Sequence, residues 1–322
     1  MKKVLGFLIF LIMLSFYGCT DKQTQTEETG LSGKITLSGA WALYPMAVKW
    51  AEEFQKLHPK VIIDISAGGA GKGMADALSQ AVDLGMVSRD INPAEIEKGA
   101  WWVSMVKDAV VPTVNQDNPV LDTLLSAGIT REQFRDIWIT GKITDWNIFA
   151  EANTDLPISV YTRSDACGAA KTWAKYLGSQ QEDLLGVGVY GDPGLAEAVI
   201  SNRTGIGFNN INYVYDSKSK EQVKGIRVLP IDLNGNGWID EEEGFYSNRD
   251  EITEAIAKGR YPSPPARDLH FVSQGPPKRK QVTEFICWAL SHGQAYVSEA
   301  GYIKLPEERL KEQIDLLKMP NQ

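Results

Sequence analysis

Residues 61–88 read VIIDISAGGAGKGMADALSQAVDLGMVS, and this stretch decides the fold. A buried strand over 61–66 runs into the glycine loop 67–73, a short helix follows near 74–80, and a second apolar strand covers 83–88. Upstream, 34–39 predicts another strand, and Pro45 opens a helix with an apolar face. The order βαβαβ predicts a parallel sheet with helices on its faces.

The same alternation returns in the second half of the chain. Thr130 and Gln133 have the spacing of a capping box before a helix. A strand over 158–163 precedes a loop and a helix that Gly178 ends, and 186–211 predicts strand, helix and strand again. We therefore predict two α/β lobes. Ligands of such sheets sit at the carboxyl ends of the strands, here the loops near 38–45, 67–73, 88–90 and 163–169.

The N-terminus has the pattern of an export signal. Residues 1–18 hold two lysines, an apolar stretch and a small residue before Cys19, which predicts a signal peptide and a lipid-anchored cysteine. Simple secretion is the alternative. Residues 19–30 are polar and predict a tether. Removing two lysines and no acids takes the net charge from −8 to −10, which argues against nucleic-acid binding.

The glycine loop fails both nucleotide patterns. A P-loop needs glycine five residues before its Gly-Lys, but Ser66 precedes Gly71-Lys72 at that distance and Gly73 follows. A dinucleotide fingerprint that starts at Gly69 needs a third glycine where Met74 stands. What remains is a loop at a helix start, which either offers backbone N–H groups to an anion or is a tight turn without a ligand.

The loop after 158–163 offers a second anion site. Arg163 is placed to lie over an anion with Asp165 orienting its guanidinium, although a surface ion pair is the alternative. Cys167 near a helix start suggests a nucleophile, but none of the three histidines is placed to serve as its base. A small apolar packing role suits Cys167 better, and we expect no enzyme activity.

Residues 232–243, DLNGNGWIDEEE, match the EF-hand loop at each of its characteristic positions. The sequence predicts a bound Ca²⁺ with the ligands Asp232, Asn234, Asn236, Trp238 (through its carbonyl), Asp240 and Glu243. The preceding segment predicts a strand rather than a helix, and no second loop is there to pair with it. A sensor needs two helices that change their angle, so we predict a structural calcium.

Seven segments in order resemble the phosphate-binding proteins of ABC-type uptake systems, within the periplasmic-binding-protein superfamily: 38–54, 67–90, 107–120, 129–146, 160–173, 259–272 and 291–306. The resemblance implies the type II two-lobed fold, with lobe 1 formed by 31–112 plus 268–322 and lobe 2 by 113–267. It also implies crossing strands near 110–116 and 266–273, a ligand cleft between the lobes, delivery to a membrane permease, and a monomer.

The cleft departs from the family pattern at its hydroxyl side chains. Ser or Thr is usual where this chain has alanines, Trp41 and Cys167. The lost hydroxyls favour either a weaker phosphate site or another ligand, such as a different oxyanion or an organic phosphate; a sensor that lost transport is a further alternative. The ligand residues that the resemblance implies are Ala40, Trp41, Ala70, Gly71, Arg89 (or Asp90), Arg163, Asp165, Cys167, Gly168 and Ala169.

Overall fold

We describe the protein from a computed structural model, in which residues 30–150 and 155–318 are described. The described residues from Leu31 onward form one compact unit. The signal peptide, Cys19 and nearly all of the tether lie outside the described residues. Within the described ranges, no helix combines the length and the apolar character that crossing a membrane requires.

The alternation predicted from the sequence is present in the described residues. The strands are β1 Ser32–Gly39, β2 Lys60–Ala67, β3 Leu84–Val87, β4 Ala100–Asn115, β5 Ile129–Thr130, β6 Ser159–Arg163, β7 Val187–Val189, β8 Gly205–Asn210, β9 Ile226–Val228, β10 Ile231–Asp232 and β11 Ala266–Gln274. The helices are α1 Tyr44–Leu57, α2 Ala70–Leu78, α3 Pro93–Glu97, α4 Leu121–Ala127, α5 Arg131–Trp138, α6 Gly168–Tyr176, α7 Gly191–Ile200, α8 Arg249–Ala257, α9 Lys280–Leu290 and α10 Glu307–Lys318.

The strands β2-β1-β3-β11-β4-β8-β6-β7 follow one another in hydrogen-bonded order. Pairing is parallel between β1 and its neighbours β2 and β3, and between β6 and its neighbours β7 and β8. The long strand β4 joins the two parallel groups. Its residues 100–109 pair with β11, and its residues 110–115 pair with β8 and β9. β4 and β11 therefore lie where crossing strands were predicted; the lobe boundaries at 112 and 267 stay a prediction.

Two apolar cores flank this junction. One contains Trp50, Phe54 and Phe271 from α1 and β11. The other contains Trp138 and Trp173 with their neighbours on α5, α6 and β8. Thr130 caps α5 through the predicted reciprocal bonds with Gln133, which aims the α5 aromatics at the second core.

Two helices begin earlier than the sequence predicted. The segments 70–73 and 168–170 were read as loop because of their small residues, but they form the first turns of α2 and α6. Gly69 precedes α2 with φ of +90°, a conformation that favours glycine. The glycine loops therefore include helix N-termini, which increases the number of free N–H groups near the strand ends.

Trp173 is the side chain on which the second core depends most. It is fully buried, and its ring contacts Phe134 edge-on at 5.3 Å, Trp138 edge-on at 5.4 Å and Phe208 in a stacked arrangement at 6.0 Å. We expect Trp173→Ala to lower the free energy of unfolding by about 3–5 kcal/mol. Urea denaturation followed by circular dichroism measures it. As a control, Trp238→Ala removes a 65% exposed side chain and should cost under about 0.5 kcal/mol; equal losses would contradict the packing argument.

Candidate functional site

The carboxyl ends of the parallel strands meet at one place, as the fold predicts. The Gly68 and Gly69 N–H groups both donate to the Gly39 carbonyl at the end of β1. The loop before α2 then contacts the loop before α6, because the Gly71 N–H donates to the Ala166 carbonyl over 2.9 Å. Three of the predicted ligand loops are thereby brought together, and we call this place the cleft site (residues 40–42, 69–71 and 163–169).

The approach of these loops depends on glycine. A methyl group on Gly168 would lie 2.1 Å from Ser88 Oγ, and one on Gly71 would lie 2.8 Å from the Ala166 Cβ. A methyl group on Gly69 would lie 2.8 Å from Asp165 Oδ2. Contacts this short are not tolerated, so the glycines let the two sides of the cleft touch. Ser88 is a hydroxyl at the cleft site that sequence reasoning missed.

Arg163 is the centre of the cleft site, and its side chain is fully buried. Asp165 receives two bonds, from Nε at 2.8 Å and Nη2 at 2.7 Å, which confirms the predicted pairing geometry. A second carboxylate, Asp192 on α7, receives a 2.6 Å bond from Nη1. Although burial opposes the charge, the carboxylates keep the pKa of Arg163 raised. Asp192 was not found from the sequence, because the pairing joins residues 29 positions apart.

A chain of polar contacts leads from Asp192 to the crossing strands. Asp192 Oδ1 accepts a 2.8 Å bond from Asn210, whose own amide oxygen accepts from Arg267. Arg267 lies 3.9 Å from Asp108 and donates to the Gly168 carbonyl at 3.1 Å. Burial raises the pKa of Asp108 to about 7, against the opposing effect of Arg267. A chain of buried polar and charged side chains therefore links the cleft site to β4 and β11.

The apolar ligand candidates are packed rather than open. Ala40, Ala70 and Ala169 are buried. The indole of Trp41 lies against Gly191 and edge-on to Tyr190 at 6.2 Å, and its Nε1 has no hydrogen-bond partner among the described residues. The Trp41 indole N–H is therefore a buried donor that no described group accepts.

Cys167 is a buried thiol. Its Sγ accepts the Ala170 N–H at 3.4 Å at the start of α6. Burial raises the pKa of Cys167 to about 12, with Arg163 only partly opposing the effect. The lowered pKa that a nucleophile needs is therefore not present, because desolvation outweighs the neighbouring positive charge. Cys287 is a second free thiol, so the two cysteines do not pair.

Arg89 and Asp90, the two ligand candidates in the loop 88–90, form ion pairs with different partners. The Arg89 guanidinium donates to both oxygens of Glu95, at 2.9 and 2.7 Å, and is nearly buried. Asp90 is mostly exposed and pairs with Lys175. Neither side chain forms a hydrogen bond with Arg163. Both line a cavity beside the cleft site.

The predicted calcium loop follows β10 as a compact turn. Asp232 accepts the Gly235 and Gly237 N–H groups, and Glu243 Oε1 accepts those of Leu233 and Asn234. Glu243 is buried, yet its Oε2 has no hydrogen-bond partner in the part of the chain that the structure describes. Asp240 accepts from the Asn234 amide at 3.1 Å. Among the described residues no group of three or more Asp, Glu, His or Cys is gathered closely enough for a metal, so the calcium prediction stays a prediction.

The chain belongs to the periplasmic-binding-protein superfamily: the model described as PBP superfamily domain matches residues 24–292. The phosphate-binding protein PstS of Methanocaldococcus jannaschii is 25% identical over 96% of this chain and 92% of its own length. PstS of Xylella fastidiosa (strain Temecula1) is also 25% identical, over 89% and 85%. These matches confirm the resemblance that the sequence motifs indicated. The relatives are named as binding proteins, in agreement with the expectation that the chain is not an enzyme.

Solved structures confirm the fold. An ABC-transporter substrate-binding protein from Clostridium perfringens, solved with bound phosphate, covers 85% of this chain and 100% of its own at 24% identity and a TM-score of 0.69. An ABC-type phosphate transport receptor from Vibrio cholerae covers 84% and 100% at 22% identity, with a TM-score of 0.60. The fold is therefore the predicted periplasmic-binding-protein type.

The burial of Cys167 makes its reactivity testable. We expect iodoacetamide at pH 8 to label Cys287, which is partly exposed, and to spare Cys167 in the native protein, because only the thiolate reacts. Both should react in urea. Mass spectrometry of the peptides that carry each cysteine measures this. Faster labelling of Cys167 than of Cys287 in the native state would support a nucleophilic role instead.

Proposed function

We propose that the protein is an extracytoplasmic solute-binding protein that captures phosphate or a related oxyanion at the cleft site for an ABC transporter. The observation that carries the proposal is Arg163, a buried guanidinium where three strand-to-helix loops of this fold meet. The names of the relatives support the same ligand class. The signal peptide and Cys19 support export and a lipid anchor, from which a monomer would deliver its ligand to the permease.

An anion would bind at the cleft site by displacing a carboxylate from Arg163. Asp165 holds the Nε/Nη2 edge of Arg163 and Asp192 holds Nη1, so Asp192 is the group that an incoming anion would displace from Nη1. The first-turn N–H groups of α6, at Gly168 and Ala169, lack intrahelical acceptors and lie at the positive end of the helix dipole. These donors and Nη1 together form the anion-binding set.

Two features weaken this site for inorganic phosphate. The carboxylates of Asp165 and Asp192 outnumber the Arg163 charge. Hydroxyl donors are replaced by Ala40, Ala70 and Ala169, and each hydrogen bond to a charged group contributes about 1.5–3 kcal/mol. The second candidate is therefore a binding or sensor protein for another oxyanion or an organic phosphate.

We also propose that the loop 232–243 binds a structural Ca²⁺. The buried, unpartnered Oε2 of Glu243 supports this, because a buried carboxylate oxygen requires a positive partner. The Trp238 carbonyl and the oxygens of Asn234 and Asn236 would complete the set with Asp232 and Asp240. The loop packs on α4, where the Ile239 N–H donates to the Ser126 carbonyl, so the ion would fix this surface and not the cleft site.

Calorimetric titration with orthophosphate tests the anion proposal. Arg163→Ala should abolish binding, because few other charged donors point into the site. Asp192→Asn should raise the affinity about tenfold or more, because the anion no longer competes with a carboxylate for Nη1. Asp64→Asn, at an exposed position, is the matched control and should leave the affinity unchanged. Full affinity in Arg163→Ala would place the anion elsewhere.

Thermal unfolding tests the calcium proposal. Calcium at about 100 times its Kd should raise the Tm by about 5 °C, and chelator should reverse the rise. Glu243→Gln should remove the calcium-dependent rise, whereas Glu242→Gln, the exposed neighbour, should keep it. Orthophosphate affinity should not depend on calcium. A Tm that is the same in calcium and in chelator would refute the proposal.

A further inference from the structure

A basic groove lies beside the cleft site, between the start of α6 and the crossing strands. Its cavity measures about 310 Å³, near the lower end for small-ligand sites. Two carboxylates line it, Asp90 and Asp268, together with six basic side chains: Arg89, Lys107, Lys171, Lys175, Arg267 and Arg309. We call these six side chains and the cavity they line the basic groove. Such a concentration of positive charge is unexpected in a chain of net charge −8.

The carboxylates do not balance this charge. Arg89, Lys175 and Arg309 pair with Glu95, Asp90 and Asp268 in that order. Lys107 forms no ion pair and no side-chain hydrogen bond with the described residues, and Lys171 donates only to the neutral Asn92 amide, at 2.9 Å. Burial lowers the pKa of His270 to about 4, so this lining residue adds no charge at neutral pH.

The cations also repel one another. Burial lowers the pKa of Lys171, and the positive charge of Arg89 lowers it further. Arg267, which lies 3.9 Å from Asp108, is more than nine-tenths buried, and its Nε has no hydrogen-bond partner among the described residues. Repulsion between like charges and a buried donor without an acceptor both destabilise the ligand-free protein. A bound anion would relieve both effects, so they favour its binding.

The basic groove adjoins the cleft site. A second cavity of about 400 Å³ shares Arg89, Lys171 and Lys175 with it and reaches Gly71 and Cys167. Arg267 touches both regions, because it lines the groove and donates to the Gly168 carbonyl. A ligand that starts at the cleft site therefore has a positively charged path into the groove.

The lining indicates what kind of ligand would follow that path. Among the described residues that line the groove there is no Trp, Tyr or Phe; the apolar side chains are Pro264 and Ala266, and the one aromatic ring is that of His270. A nucleobase or a sugar ring binds on aromatic or broad apolar surfaces, which the groove does not offer. The groove matches a ligand that is charged along its length.

We propose that the basic groove is a second anion subsite of the cleft and that the ligand is a condensed inorganic phosphate, with one phosphoryl group at the cleft site and another between Lys107 and Lys171. This inference rests on the proposed function and names its ligand class. It also gives a reason for the lost hydroxyls, because contacts along a longer anion replace the dense donor set that a single phosphate needs.

Calorimetry of the purified protein in calcium-free buffer tests the inference with orthophosphate and tripolyphosphate as probes, because tripolyphosphate chelates Ca²⁺. Tripolyphosphate should bind at least about tenfold more tightly than orthophosphate, and the difference should shrink as salt increases. The double variant Lys107→Gln/Lys171→Gln should lose this preference. The control Lys218→Gln/Lys224→Gln removes the same charge from exposed positions outside the groove and should keep it. The Lys218→Gln/Lys224→Gln control should also leave orthophosphate affinity unchanged.

The possible outcomes distinguish failure of the condensed-phosphate inference from failure of the proposed function. Equal affinity for the two probes, with orthophosphate binding that requires Arg163, would overturn the condensed-phosphate inference and leave the function standing. A tripolyphosphate preference that survives in the Lys107→Gln/Lys171→Gln variant would also overturn it. Binding of neither probe would overturn the inference and the proposed capture of phosphate, and would favour the second candidate, a protein for another oxyanion or an organic phosphate.

Discussion

The buried contact between Arg163 and its two carboxylates is the interaction on which the rest of the site depends. A fully desolvated guanidinium is stable only when its donors are paired, and Asp165 and Asp192 supply those pairs. Through Asn210 and Arg267 the contact extends to Asp108 on β4. Removing one member would leave a buried charge uncompensated, so the helices α6 and α7 are held to the crossing strands by the same charges that would meet an anion.

This arrangement turns ligand binding into an exchange. Each nitrogen of the Arg163 guanidinium, Nε, Nη1 and Nη2, already donates to a carboxylate. The free energy that an anion gains at Arg163 is then only the difference between its own hydrogen bond and the one to Asp192 that it replaces. The glycines add to this effect, because Gly69, Gly71 and Gly168 let the loops close directly on each other. Selectivity would therefore depend on contacts beyond Arg163, and those contacts are the cations of the basic groove.

Local sequence patterns predicted the parts of the molecule that local physics controls. The strand and helix alternation, the Thr130 capping box, and the Arg163–Asp165 pair were all readable, since each involves neighbours in the chain. The starts of α2 and α6 were wrong because glycine and alanine were read as loop, whereas here they form first helical turns.

Asp192, Arg267 and the basic groove could not be predicted from one sequence, because their partners are distant in the chain. Asp192 reaches Arg163 across 29 residues, and Arg267 reaches Gly168 across 99. Lys107 on β4 and Lys171 on α6 look like ordinary surface lysines in the sequence. Only the topology that brings β4, β11 and α6 together shows that these cations share one cavity.

The distribution of charge adds a kinetic argument to the thermodynamic one. A chain with a net charge of −8 repels anions at long range, so capture of an anionic solute requires a local field of the opposite sign. Lys107 and Lys171, which form no ion pair with the described residues, provide that field in the basic groove beside the cleft site. At the cleft site itself, the two carboxylates of Asp165 and Asp192 outnumber the charge of Arg163 and make the local electrostatic field unfavourable for an anion. An anion with several charges satisfies both conditions better than a single phosphate, because most of its charge remains in the groove while only one group competes for Arg163.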